Sequence, residues 1–195
     1  SKVGRSLSQV CLFLPRVIPA AAAGVAWTWM LADKGTVNQL FRAVGLGDAA
    51  HVWLGDQSTA LNAVGVIGFW LQLGFCVVLL LSGIGSIDQS LYEAASIDGA
   101  GWWRQLFYIT LPGLRGQIGV CLTMTIISAL ASFDVVYMST QGGPGTSTMV
   151  PGVQVYRLAF TQQSVGLASA LAVTLMVLVL LVVGPVQRLV NGKDR

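Results

Sequence analysis

The chain has 195 residues, 54% of them apolar and only 10% charged, with a formal net charge of +3 and a mean hydropathy of +0.72. A soluble domain carries about 25% charged residues, so this composition argues against an ordinary soluble enzyme and for a polytopic membrane protein. The small positive charge, without any basic run interleaved with aromatics, gives no footing for nucleic acid. Cys11, Cys76 and Cys121 all lie in apolar stretches, and their spacing fits neither a metal site nor a disulfide framework. They read as buried thiols. His51 is the single histidine, in a polar stretch with Asp48 and Asp56, and reads as a solvated loop residue rather than a metal ligand.

The chain opens on Ser1 and reaches an apolar stretch within a few residues, as expected of a sequence that continues upstream. Residues 7–32 are the first span candidate. Lys2, Arg5 and the alanine run would also suit a signal peptide, but Pro15-Arg16 and Pro19 interrupt the apolar region and it runs on to Trp27 and Trp29. Those aromatics suit an interfacial anchor. The two prolines predict an irregular or kinked start, and Arg16 must snorkel or face protein. Residues 33–60 form a polar connection punctuated by Gly35, Gly45, Gly47 and Gly55; Leu40, Phe41, Val44 and Leu46 predict a short amphipathic surface helix within it.

Residues 61–87 give a second span, since about 20 residues cross an apolar layer about 30 Å thick. Gly65, Gly68 and Gly74 leave a small-residue surface for helix packing. Gln72 is its one large mid-span polar side chain, placed either for a structural hydrogen bond or for a solute path. A polar island, residues 90–112, SLYEAASIDGAGWWRQLFYITLP, follows. Ser90 and Glu93 have capping-box spacing and predict a helix start. Gly99 can end that helix in a left-handed position. A second short helix is expected from about Trp102 to Ile109, stopped by Leu111-Pro112. This makes a helix–glycine–helix hairpin between spans, a handle for something outside the membrane.

Residues 114–137 are the third span candidate, with Asp134 near its far end, where a carboxylate needs water or a partner. Leu130, Phe133, Asp134 and Tyr137 fall at spacings of three and four, one face of a continuous helix. Residues 139–152 are too rich in Gly, Ser, Thr and Pro for a membrane helix. Residues 165–187 are the fourth span, ended by Gly184-Pro185 and the charged tail Arg188, Lys193, Asp194, Arg195. With the island placed in the cytoplasm, seven basic residues lie inside (Lys2, Arg5, Arg104, Arg115, Arg188, Lys193, Arg195) and three outside (Lys34, Arg42, Arg157), in agreement with the positive-inside rule. The chain has no GxxxxGK[ST] phosphate loop, and a single loop histidine gives no credible Ser-His-Asp set.

Within the island, Glu93-Ala94-Ala95, Asp98-Gly99-Ala100, Phe107, Ile109 and Leu111-Pro112 resemble the EAA loop of the membrane subunits of ABC importers, with the spacing matched over the whole stretch. Thr140, Gly142-Gly143-Pro144, the run from Tyr156 to Phe160 and Gly166-Leu167-Ala168 resemble a second signature of sugar-type permeases. Gly35, Asn38, Gly45-Leu46 and Trp53-Leu54 loosely resemble their external loop.

The resemblance implies an all-α membrane protein, a polytopic transmembrane helix bundle of type I ABC importer permease architecture. Residues 1–195 would be one permease domain with four spans, and the family's usual six-span core implies two more upstream. Residues 90–112 would be a cytoplasmic coupling hairpin. Glu93, Ala94, Ala95, Asp98, Gly99 and Ala100 would dock on an ATPase, Glu93 serving as helix cap, as ion-pair partner, or as both. The implied partners are a second permease subunit in a heterodimer, two ATPase subunits, an extracytoplasmic solute-binding protein and the lipid bilayer of the bacterial cytoplasmic membrane. ATP and magnesium would belong to the ATPase subunits, leaving this chain a non-catalytic transport subunit without a metal or cofactor. Phe133, Asp134 and Tyr137, with Gln72 and Ser169, are the candidate residues for a sugar or sugar-like solute: an aromatic ring covers the apolar face of a sugar while a polar atom takes a hydroxyl. Packing against the partner subunit is the alternative role for the same side chains. An ion- or proton-coupled secondary transporter or channel, with Asp134 as its ionisable group, is the rival reading of the whole chain.

Overall fold

The computed structural model describes residues 14–191, and every regular element in that stretch is helical. Residues 14–17 make a helical turn that breaks at Ile18 and Pro19. Pro19 takes φ −56° and ψ 136°, and α1, Ala20–Met30, begins after it. The kinked start foreseen from the prolines is therefore present. Residues 7–13 of the first span candidate lie outside the described residues. At 11 residues, α1 rises only about 16 Å, short of a bilayer core by itself.

The short surface helix foreseen in the polar connection is α2, Thr36–Ala43. It is held by Asn38, which is fully buried. The Asn38 Nδ2 donates to the carbonyls of Ala32, Asp33 and His51 at 3.2, 3.1 and 2.9 Å. Its Oδ1 accepts from the Trp53 indole at 2.8 Å. One amide thus ties the end of α1, the start of α2 and the following loop, and every polar atom it buries is satisfied.

The long helix α3, Ala60–Gly85, has 26 residues and spans roughly 39 Å. At its far end come α4, Gln89–Ile97, and α5, Trp102–Gly113. Here the structure corrects the sequence reading. Leu111-Pro112 does not stop the helix; residues Leu106–Thr110 widen into a π turn and the chain continues helically to Gly113. A wider turn shifts the carbonyl that would collide with the Pro112 ring, so the proline is accommodated. The stop comes at Leu114, where α5 and α6, Arg115–Leu130, meet at 68°.

The third span is also not one helix. It breaks at residues 131–133, where Phe133 leaves helical conformation (φ −137°, ψ −60°), and restarts as α7, Asp134–Ser139. The break accommodates a close crossing by α8, Pro151–Tyr156: a Cβ on Gly152 would lie 2.8 Å from the Ser132 carbonyl oxygen and 3.2 Å from the Phe133 Cβ. A π turn over Arg157–Thr161 follows, then α9, Val165–Asn191. Pro185 sits inside α9 rather than ending it; it forfeits one backbone bond, a loss membrane helices tolerate.

Leu31, Ala63, Val64, Ile67, Val135, Val136 and Val153 form the buried core, joining α1, α3, α7 and α8. Between membrane helices such side chains contribute through close van der Waals packing rather than through exclusion of water. This core gathers at the N-terminal end of α3, and the hairpin hangs from the other end. Ala60–Gly85 and Val165–Arg188 are long and apolar enough to cross a membrane, and α5–α6 makes a third span if the bent pair is counted as one. Four spans were expected; among the described residues the count is two or three, and the first candidate is described only from residue 14.

Candidate functional site: a helical hairpin and an aromatic cluster

The hairpin is built from its turn outward. Gly99 adopts φ +72°. Its N–H donates to the Ser96 carbonyl at 3.1 Å, and the next N–H, of Ala100, donates to the Ala95 carbonyl at 2.8 Å. That pair is a Schellman motif with Asp98 as C-cap, closing the orphan carbonyls of α4. Gly99 is thus placed as the sequence required. The N-terminal cap is a correction. Asp88, not Ser90, is the N-cap: its Oδ1 accepts from the Ser90 N–H at 3.0 Å, and that bond holds the Asp88 carboxyl below its usual range. The Ser90–Glu93 capping box does not form. Glu93 instead accepts from the Gln89 side chain at 3.2 Å, one turn earlier. An aspartate before a helix competes at least as well as a serine inside it.

The two arms are tied at two points, and the second arm is also tied to the turn. The Gln105 Nε2 donates to Ser96 Oγ and to the Ala100 carbonyl, each at 3.0 Å. The hydroxyls of Tyr92 and Thr110 lie 2.9 Å apart. Glu93, Ala94, Asp98 and Gly99 are exposed, Ala95 and Ala100 half-buried. The six residues expected to dock sit on the first arm and the turn.

At the opposite end of α3 the aromatic residues assemble. Phe133 and Tyr137 stack with centroids 5.0 Å apart and planes 19° from parallel. Tyr156 joins both, at 5.5 and 4.8 Å, and Phe160 extends the series at 5.0 Å. The pairing of Phe133 with Tyr137 is as the spacing predicts. Leu130 lies on α6, across the break, so the single helical face drawn through all four residues does not exist. Tyr156 and Phe160 carried no site assignment at the sequence level; their spacing of four was its visible signal. Asp134 is exposed in the first turn of α7.

A cleft of about 530 Å³ lies between α3 and α6; its lining is mostly apolar, with Gln72, Thr125, Ser128 and Ser132 among its few polar members, and none of the stacked rings lines it. Gln72 shares this lining with Ser132 and Val136, on either side of Phe133, while Phe133 itself is not in it. Ser169 is exposed on α9 and is not among the residues lining the cleft.

Residues 1–192 match the family described as the binding-protein-dependent transport system inner membrane component. The chain is 36% identical over 173 residues to the probable ABC transporter permease protein YurN of Bacillus subtilis (strain 168), covering 88% of this chain and 59% of that protein. It is 34% identical over 187 residues to the sulfoquinovosyl glycerol transport system permease protein SmoG of Agrobacterium fabrum (strain C58), covering 95% of this chain and 60% of that one. Among solved structures, a chain of a bacterial ABC transporter involved in import of the acidic polysaccharide alginate superposes with a TM-score of 0.86 at 25% identity, over 100% of this chain and 68% of that chain. The chain thus spans about three-fifths of the length of these two curated relatives.

Proposed function

The chain belongs to the family of binding-protein-dependent transport system inner membrane components, and from that premise we propose that it is the permease subunit of an ATP-driven ABC importer for a sugar or sugar-like solute. In this reading it forms the solute pathway with a second permease subunit. Two ATPase subunits bind ATP and magnesium and receive the α4–α5 hairpin, and an extracytoplasmic binding protein delivers the solute. The hairpin carries the proposal. Its turn is a closed Schellman motif and its arms are cross-linked by side chains, so a push on Glu93, Asp98 or Gly99 moves both arms as one body into α3 and α6.

The solute class is supported by the sulfoquinovosyl glycerol and alginate systems to which the chain is similar, and by the stacked rings of Phe133, Tyr137 and Tyr156. Phe133 and Tyr137 would cover the apolar face of a sugar ring, and Gln72 and Asp134 would take hydroxyls. Ser169, exposed on α9, would reach solute only where the second permease closes the cavity.

The test is purification of the assembled complex and its reconstitution in proteoliposomes with the binding protein outside. Uptake that requires internal ATP and the binding protein supports the assignment. Uptake driven by a proton or sodium gradient, independent of ATP and abolished by Asp134→Asn, would overturn it in favour of a secondary transporter. The orientation is tested by cysteine labelling in intact cells: Ile97→Cys, at 86% exposure, should be reached only from the cytoplasm, and Thr146→Cys, exposed between α7 and α8, only from outside.

A further inference from the structure

The second arm of the hairpin has two different sides. One side is occupied: Gln105 and Thr110 hold α4. The other carries Trp103, Phe107 and Leu111 at intervals of four, with Arg104 and Tyr108 beside them. Trp103, Phe107 and Tyr108 are 65, 57 and 77% exposed, and Trp102, at 65%, packs edge-on against Trp103. Four large aromatics in water on one 12-residue arm are unusual for a solvated loop.

We propose that this outer face of α5 rests in the headgroup layer of the membrane, so that the hairpin is anchored on lipid along its second arm and free to meet a protein partner along its first. Three observations point to lipid rather than to protein. The arm is joined to α6, the apolar helix of the bent pair, by Leu114 alone, so its C-terminal end lies where that helix meets the bilayer. Spanning helices tilt on average about 20° from the membrane normal, so the 68° bend at Leu114 puts α5 at roughly 50–90° to that normal, nearer the membrane plane than the normal. The side chains are those of an interface: Trp and Tyr rings bury an apolar body and keep a polar tip in water. Exposed Arg104 and Arg115, one on the arm and one just beyond the bend, stand where phospholipid phosphates would meet them. The inference rests on the proposed function only for which leaflet is involved.

The experiment uses the whole complex in nanodiscs of phosphatidylethanolamine and phosphatidylglycerol, with the native cysteines replaced. A spin label at Phe107→Cys is compared with one at Ile97→Cys on the first arm, reading collision rates with oxygen, which concentrates in lipid, and with a water-soluble nickel chelate. The expected result is a severalfold shift toward oxygen at Phe107 relative to Ile97. Equal nickel accessibility at both sites overturns the proposal by placing α5 in water. Exclusion of both reagents from Phe107 overturns it by placing protein there. Recovery of the ATPase subunits with the same preparations is scored separately: lipid contact without ATPase keeps this inference and sinks the coupling role, and the reverse pattern does the opposite.

Discussion

The hydroxyl of Tyr92 lies 2.9 Å from that of Thr110, 18 residues away, and this contact joins the two arms of the hairpin near their open end. The turn at Gly99 and the Gln105–Ser96 bond beside it hold the arms at one end only. Without a second tie a load on α4 could open the hairpin instead of moving α6. A hydrogen bond of this kind contributes about 0.5–1.5 kcal/mol net. Tyr92→Phe should therefore leave insertion, assembly and basal ATP hydrolysis near normal and lower the solute transported per ATP hydrolysed, by up to severalfold. Thr110→Val should do the same, and the double variant should be no worse than either single one. Additive losses would show that the two hydroxyls act separately.

Asn38 is the most interconnected polar side chain among the described residues. Removing its amide takes the partner from the Asp33 and His51 carbonyls and the Trp53 indole at once, while the Ala32 carbonyl keeps the Gly35 N–H. Each unsatisfied buried group costs about 1–3 kcal/mol, so Asn38→Ala should destabilise the 31–60 region by several kcal/mol even if water relieves part of it. Thermal unfolding in detergent, followed by tryptophan fluorescence, is the check. Asn38→Asp keeps an acceptor for Trp53 and loses the three donated bonds, so it should rescue little. A melting temperature unchanged in both variants would refute the role assigned to this amide.

The Phe133–Tyr137–Tyr156 cluster distinguishes a solute site from plain packing. If the rings cover a sugar, Tyr137→Phe keeps the stack and loses only the hydroxyl, and Tyr137→Ala removes the platform. Tyr137→Ala should then raise the concentration for half-maximal uptake by tenfold or more, with assembly intact, and Tyr137→Phe should have a smaller effect. Tyr156→Ala should behave like Tyr137→Ala, since its ring touches both of the others. Equal loss of complex yield in every alanine variant, with unchanged uptake per assembled complex, would assign the rings to packing alone.

Much of this was legible from residue type and spacing, and the misses share a cause. Gly99 was readable because only one backbone region fits a helix that must end and reverse, and glycine is the residue that populates it without strain. The kink before α1 was readable because proline acts on its immediate neighbours. Pro112 and Pro185 act through the same local chemistry, yet neither ends its helix, because a π turn in one case and a membrane helix in the other absorb the lost bond. The break at residues 131–133 has no proline and no glycine of its own. Its correlate is Gly152, some twenty residues later, whose missing Cβ admits α8 against Ser132. That is tertiary information, and no local periodicity carries it. The cap moved from Ser90 to Asp88 because two good capping residues stood two positions apart, and pattern alone does not rank them.

Gly99 gives the most discriminating prediction, because its environment separates two reasons for needing glycine. A Cβ built there meets no heavy atom within 4 Å, whereas φ is +72°. Within this chain the constraint is therefore backbone conformation and not space. A side chain in the left-handed region costs about 1–2 kcal/mol, a factor of roughly 5–30 in the population of the formed turn, and a β-branched residue is the worst case. Gly99→Val should lower uptake about tenfold and weaken recovery of the ATPase subunits, while the protein still inserts because no apolar span is altered. Gly99→Asn tolerates the left-handed region and should retain the turn. If uptake returns with Asn, conformation alone was at fault. If it stays low while the turn is intact, the small size of residue 99 is what the ATPase surface requires. Gly101 is the control two positions on: its φ is −68° and a Cβ there also meets nothing within 4 Å, so Gly101→Val should be tolerated. Normal uptake and normal binding-protein-stimulated hydrolysis in Gly99→Val would remove the hairpin from the coupling role, and with it the main support for reading this chain as an ATP-driven importer's permease.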